Sequence, residues 1–188
     1  MRCVRAAPSI RQAALLAIAA TFLAIFAFDR QPAKAAEAPE IGKTIAVKDK
    51  VTVEAGDVPR SLAKGQHVHQ NEIVVTAKAA SAEIELKDNT KLAVGPSARI
   101  VLDKFVYDAS AEPGSISINM AKGAFRFITG DSAKSAYEIK TPTVSLALRG
   151  TVCDVYVDGG GETVVRLQEG ALDMCAAPGS CRRHNKAG

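Results

Sequence analysis

From Gly42 onward the chain alternates apolar and polar side chains with a period of two. Ile45 and Val47 alternate with Thr44 and Ala46, and Val51 and Val53 with Thr52 and Glu54. Ala82, Ile84 and Leu86 alternate with Glu83, Glu85 and Lys87, and Ile116, Ile118 and Met120 with Ser115, Ser117 and Asn119. Successive side chains of a pleated strand point to opposite faces, so each run predicts a half-buried strand with its apolar set inward. Turn signals separate the runs: Gly56-Asp57, Asp88-Asn89, Gly95-Pro96, Pro113-Gly114, Gly130-Asp131 and Gly159-Gly160-Gly161. This pattern predicts an all-β domain of antiparallel hairpins, arranged as a sandwich or a short β-solenoid. No stretch of this region sustains helical periodicity, and residues 59–70 are expected to be loop.

An internal echo refines the pattern. Residues 118–127 and 165–174 both read apolar, polar, apolar, two residues, Gly-Ala, apolar, charged, apolar. The expectation is a pair of hairpins. Lys122 or Glu169 turns the chain, and Gly123 or Gly170 takes the left-handed position of a bulged turn. A weaker third copy spans residues 84–94, with Asn89 at its turn. Residues 141–157 carry a Thr-Pro start, an apolar run, Arg149-Gly150-Thr151 and a second alternation. They read as two strands joined by a step hinged at Gly150.

The first 35 residues stand apart. Arg2, Arg5 and Arg11 precede an apolar stretch at residues 13–28, and Ala33-Lys34-Ala35 follows it. That order is a secretory signal peptide with cleavage after Ala35. The alternative is an uncleaved inner-membrane anchor formed by residues 13–28, which are short of the roughly 20 apolar residues of a spanning helix. Residues 36–41 are expected as a spacer, 42–176 as the domain and 177–188 as a short tail. The domain is therefore expected in the periplasm or secreted, and in contact with a membrane only if the leader is retained.

Removing the leader changes the charge. The whole chain is formally +4, and the leader's Arg2, Arg5, Arg11, Arg30 and Lys34 against Asp29 hold all of it. What remains is neutral, so no clustered positive face argues for nucleic acid. Arg182, Arg183, His184 and Lys186 form a short basic run that reads as solvated. Tryptophan is absent, so Val, Ile, Leu and Ala must fill the core and no aromatic stacking platform is expected.

Candidate chemistry is sparse. Cys153 shares a strand face with Thr151, Val155 and Val157 and reads as a small buried hydrophobe, not a nucleophile. Cys175 faces away from Leu172 and Met174, and a turn-forming segment separates it from Cys181. In an oxidising compartment a Cys175–Cys181 bridge is the economical pairing, leaving a single free thiol once the leader is gone. His67 and His69 have same-face spacing, but no further ligand cluster accompanies them, so no metal is expected. The catalytic signatures of hydrolases, zinc peptidases and nucleotide-binding loops are absent, and no cofactor is implied. Asp154 and Asp158, like Glu83 and Glu85, read as the polar face of half-buried strands rather than paired catalytic carboxylates. Arg149 reads as a structural residue at the Gly150 turn, pairing with a carboxylate or strand-end carbonyls.

Several of these residues together resemble the FecR domain family, the periplasmic module of iron-dicitrate transport regulators. The resemblance covers roughly residues 73–174. It rests on Lys87-Asp88-Asn89-Thr90, Leu92, Pro96-Ser97, Lys122-Gly123 before Phe125-Arg126-Phe127, Thr141-Pro142, Arg149-Gly150-Thr151 and Glu169-Gly170. Asn89 stands where the family usually has Gly, and Asn tolerates a left-handed turn. The resemblance implies a β-rich, non-enzymatic domain outside the cytoplasm that signals or binds through protein contacts. Only residues 1–12 precede the apolar stretch, so the family's cytoplasmic sigma-factor capture is not expected to carry over. The expected role is a stand-alone exported protein-binding or scaffold module with an envelope protein partner, such as the signalling domain of an outer-membrane receptor. The alternative is a small-ligand or cell-wall glycan binder with residues 159–162 at the mouth of its site.

Overall fold

The computed structural model describes residues 38–188 apart from residues 57, 109–110 and 177–178, so the leader and Cys3 lie outside the described residues. The strands in chain order are β1 (Glu40–Lys48), β2 (Val51–Glu54), β3 (Arg60–Ser61), β4 (His67–His69), β5 (Ile73–Thr76), β6 (Ser81–Leu86) and β7 (Lys91–Val94). They continue with β8 (Arg99–Asp108), β9 (Ala111–Ile128), β10 (Tyr137–Lys140), β11 (Val144–Val157), β12 (Thr163–Ala176) and β13 (Ser180–His184). Among the described residues there is no helix, and so none long and apolar enough to cross a membrane. The class is all-β, as the alternation predicts.

Hydrogen bonding links all thirteen strands, and three long strands divide the ladder into two sheets. In β9, residues before Gly123 pair with β8 and β10, whereas residues 123–128 pair with β7 and β11. In β11, residues 145–148 pair with β10 and residues 152–157 with β9. One sheet thus runs β3-β2-β5-β8-β9-β10-β11-β12-β13, and the other runs β4-β1-β6-β7-β9-β11-β12. Strands that pass from sheet to sheet through a bulge make the corners of such packings.

The corners are visible as reversals of side-chain parity. Ile116, Ile118 and Met120 are buried before Gly123, and Phe125 and Phe127 after it. Leu146 and Leu148 precede Gly150, with Thr151, Cys153, Val155 and Val157 buried beyond it. Leu167 is buried before Gly170 and Leu172 after it. Each bulge inserts one residue, so both halves of a bent strand present their apolar set to the same core. Gly123, Gly150 and Gly170 have φ of +110°, +60° and +84°. The two hairpins expected at Lys122 and Glu169 are therefore bulges within continuous strands, and residues 144–157 are one bent strand rather than two. The third copy is a true hairpin. β6 and β7 pair antiparallel across a turn in which Asn89 has φ +63°.

One pair departs from the antiparallel rule, since β10 runs parallel to β9. Parallel neighbours need a crossover. Here it is the second half of β9, which leaves for the other sheet, followed by the loop 129–136 that returns beside Ile116.

Three further expectations are corrected. Residues 59–70 contain β3 and β4, and β4 pairs with β1. β1 begins at Glu40, inside the segment expected as spacer, and β13 lies inside the segment expected as tail. In β1 the inward residue is Thr44, not Ile45, because the register shifts between Thr44 and Ala46. The Thr44 hydroxyl is buried without a hydrogen-bond partner.

Candidate functional site

Arg149, Gly150, Thr151, Glu169 and Gly170 meet at the corner shared by β11 and β12. The ladder is interrupted there, between Arg149 and Val152. Gly170 lies so close to the Gly150 carbonyl that a Cβ would overlap it, so two constraints, contact and left-handed φ, demand glycine. At Gly150 a Cβ would find room, its nearest neighbour being Lys134 Cε at 3.7 Å, and only the backbone angle is restrictive. Thr151 replaces the missing ladder bonds. Its Oγ1 donates to the Ala171 carbonyl (2.7 Å) and accepts from Arg149 N–H (2.9 Å), while its own N–H donates to Thr129 Oγ1 (2.9 Å). Arg149 Nε donates to Asp173 Oδ2 at 3.3 Å, and Arg183 binds the same carboxylate at 2.7 and 3.0 Å. Arg183, and after it Arg149, hold the Asp173 carboxyl down at about 2. Thr141 and Pro142 sit elsewhere, beneath the β11–β12 hairpin loop. Pro142 packs against Gly161, and Thr163 Oγ1 donates to Thr141 Oγ1 at 2.8 Å. The loop is shaped by Asp158, whose Oδ1 accepts from Gly160 and Glu162 N–H at 2.8 Å each.

A second cluster was not foreseen as such. Asp88, in the β6–β7 turn, is fully buried. Its carboxylate accepts from Thr90 N–H (3.1 Å), Thr90 Oγ1 (2.9 Å), Ser132 Oγ (2.8 Å) and Tyr137 OH (2.8 Å). Its carbonyl takes the Asp131 N–H at 2.7 Å, and a Cβ on Gly130 would overlap that carbonyl. This turn therefore pins the return loop 129–136 and seats Tyr137 edge-on against Phe127 at 5.9 Å. The sequence signal was an Asp two residues before a Thr in a left-handed turn, but Ser132 and Tyr137 are remote in the chain. Burial, and then the Asp88 contact, push the Tyr137 phenol up. Because the folded state keeps this phenol protonated while the unfolded chain ionises near pH 10, its contribution is complete below that pH and is lost above it. Stability should therefore fall as pH rises above about 10, and a Tyr137→Phe variant should show a shallower fall in alkaline denaturant titrations.

Cys175 and Cys181 are directly opposed across β12 and β13 and form a disulfide (S–S 2.05 Å). Closing so short a loop contributes less than about 3 kcal/mol, mainly by restricting the unfolded chain. Cys153 is free and fully buried, and burial pushes its thiol up to about 12, with Asp154 adding to the rise. His67 and His69 are engaged separately, His67 with Glu40 (3.2 Å) and His69 with Glu72 (3.3 Å). Arg60 also binds Glu72, at 2.9 Å, and no group of three metal-ligating side chains forms among the described residues.

The surface offers two features. On the outer face of β7, β9, β11 and β12 lies an open groove of about 420 Å³. Tyr156 and Val164, paired across β11 and β12, are both more than half exposed there (51 and 58 %). Arg126 grips Asp154 at its side, holding that carboxyl below its usual range. The second feature, among the described residues, is the set of outer strands β3, β4 and β13, each paired on one side.

The described residues thus form an open two-sheet β-domain with a glycine-constrained corner and exposed strand edges. The FecR protein family model matches residues 72–173, more than half of the sequence, and the chain belongs to that family. No curated protein and no solved structure gives a significant match. The matched segment begins and ends within one residue of the span over which the sequence resembles the family. It contains the Asp88 turn and the Gly150–Gly170 corner, and it ends before β13.

Proposed function

We propose that this chain is an exported, non-enzymatic FecR-domain protein that binds a partner protein in the cell envelope and serves signalling or scaffolding there. Family membership supports a regulatory role. The observation that carries the binding mode is the open sheet, because uncovered strand edges present unpaired backbone donors and acceptors that an added strand can satisfy. Residues of the family signature hold the corner and the turn, which leaves edges and loops as the contact surfaces. Crosslinking in the envelope followed by pull-down tests this reading. A defined protein adduct is expected, and retention on peptidoglycan with no protein adduct would overturn it. That second outcome is the prediction of a glycan-binding reading, which the open groove beside exposed Tyr156 favours.

A further inference from the structure

In the sheet β4-β1-β6-β7-β9-β11-β12, two rows of outward side chains cross β6, β7, β9, β11 and β12. Cross-strand pairing aligns Glu83, Ala93, Arg126, Asp154 and Arg166 in one row. The next row holds Ser81, Gly95, Ala124, Tyr156 and Val164, with the Gly95 N–H bonded to the Ala124 carbonyl at 2.8 Å. Both rows line the open groove beside Tyr156. The second row rises from small to large. On β6, β7 and β9 it is a trough floored by Ser81, Gly95 and Ala124, and on β11 and β12 it is a ridge of exposed Tyr156 and Val164. A Cβ on Gly95 would come within 2.9 Å of the Ala124 carbonyl oxygen, so the trough stays bare at its centre.

This face is its own complement. β9 is the middle strand of the five, and Ala124 is the middle residue of its row. A two-fold axis along β9, in the plane of contact, sets β6 of one copy over β12 of another and β7 over β11. Val164 then stands over Ser81, Tyr156 over Gly95 and Ala124 over its own mate, so each ridge fills the other copy's trough. That rotation carries a twisted sheet into a surface of the same twist, so the two faces stay parallel across their width, as aligned sheet packing requires. The charges agree with the shape. Asp154 is gripped by Arg126 at 2.6 and 2.9 Å and also stands opposite Arg166, so one acid serves two arginines. Exposed Glu83, two strands from Arg126, brings the face to neutrality, and the rotation sets it against the other copy's Arg166. The two Arg126 side chains meet across the axis, each already neutralised by its own Asp154.

We infer that a second copy of this chain docks here, face to face about a two-fold axis along β9, with the Tyr156–Val164 ridge of each seated in the trough of the other. Five strands at a spacing of about 4.8 Å, over about five residues of strand length, present roughly 400 Å² of face per copy. That is the size of a weak, reversible contact, so the dimer should form in the micromolar range. The inference goes beyond the partner-binding reading above and does not depend on it. The outer strands β3, β4 and β13 lie outside the paired face, so the dimer offers two copies of each to a partner.

Sedimentation velocity of the full-length exported protein, at concentrations up to about 100 μM, should show a monomer–dimer equilibrium. Ala124 is exposed and sits on the axis, so Ala124→Arg brings two like charges together and should weaken the dimer at least about ten-fold. Glu83→Arg and Arg166→Glu should each weaken it about three-fold or more, and the double swap should recover most of that loss, because the pair re-forms with its signs exchanged. Urea denaturation checks that each variant is folded. A short bismaleimide should join Ala124→Cys to its mate, whereas Ser81→Cys, about 20 Å from its own mate, should not be joined. A strict monomer at the highest concentration, a dimer indifferent to Ala124→Arg, a double swap no better than its parents, or crosslinking from Ser81→Cys and not from Ala124→Cys would each overturn the inference. So would a soluble peptidoglycan fragment that binds the monomer and is lost on Ala124→Arg, since the groove would then be a glycan site.

Discussion

Gly170→Ala should cost about 3 kcal/mol or more, and Gly150→Ala only about 1–2 kcal/mol, although both glycines have left-handed backbones. At Gly150 (φ +60°) an added methyl group meets nothing closer than 3.7 Å, so only backbone strain is incurred. At Gly170 the methyl group would overlap the Gly150 carbonyl in addition, and that carbonyl belongs to a corner fixed by the Thr151 hydrogen bonds. Relief requires the two strands to separate where the sheets join. Gly150→Asn should be milder than Gly150→Ala, because asparagine visits this region readily, and Gly150→Val should be worse. Urea denaturation of the four variants measures these differences. Equal losses at the two glycines would mean that the close approach does not constrain the corner.

Asp88→Ala should cost about 3 kcal/mol or more, by stranding the Ser132 and Tyr137 hydroxyls and the Thr90 donors in a buried site. Asp88→Asn keeps the shape and one acceptor oxygen, and the hydroxyls can rotate to accept from its amide. Its cost should be nearer 1 kcal/mol. Near-ultraviolet circular dichroism should show Tyr137 losing its fixed environment in the alanine variant, because the return loop 129–136 is released with it. An Asp88→Ala protein as stable as its parent would show that this loop is held by other contacts.

Much of this architecture was legible from period-two alternation, because a strand side chain can face only one of two ways. Val51, Val53, Ala82, Ile84, Leu86, Ile116, Ile118 and Met120 are buried as that pattern requires. The placement of Cys153 inward and the Cys175–Cys181 bridge followed from the same parity. What local pattern could not resolve was direction. A tight turn and a bulge both call for a glycine with positive φ, so Lys122-Gly123 and Glu169-Gly170 read equally well as hairpins. The decision belongs to non-local partners: residues 123–128 are clasped between β7 and β11, which no ten-residue window reveals. Thr44 was misplaced for a related reason, since a register shift in β1 turns an expected outward residue inward.

The candidate site was less legible than the fold. Arg149, Gly150, Thr151, Glu169 and Gly170 were recognisable by family resemblance, and their geometry at the corner is that of a scaffold. Asp88 was quoted only as part of a turn, because its importance depends on Ser132 and Tyr137 far along the chain. The outer strand β13 was hidden by the reading of residues 177–188 as tail. A disulfide closing a short loop from the end of a strand implies that the returning segment pairs with it, which makes β13 a strand of the sheet.

The central claim is that family-signature residues build the scaffold while strand edges make the contacts. Photo-crosslinking amino acids placed singly at Arg182 on β13, His67 on β4 and Arg149 at the corner, followed by envelope fractionation, test it most directly. The account predicts a discrete protein adduct from Arg182 or His67, on the outer strands, and none from Arg149. An adduct from Arg149 with none from either edge would contradict it.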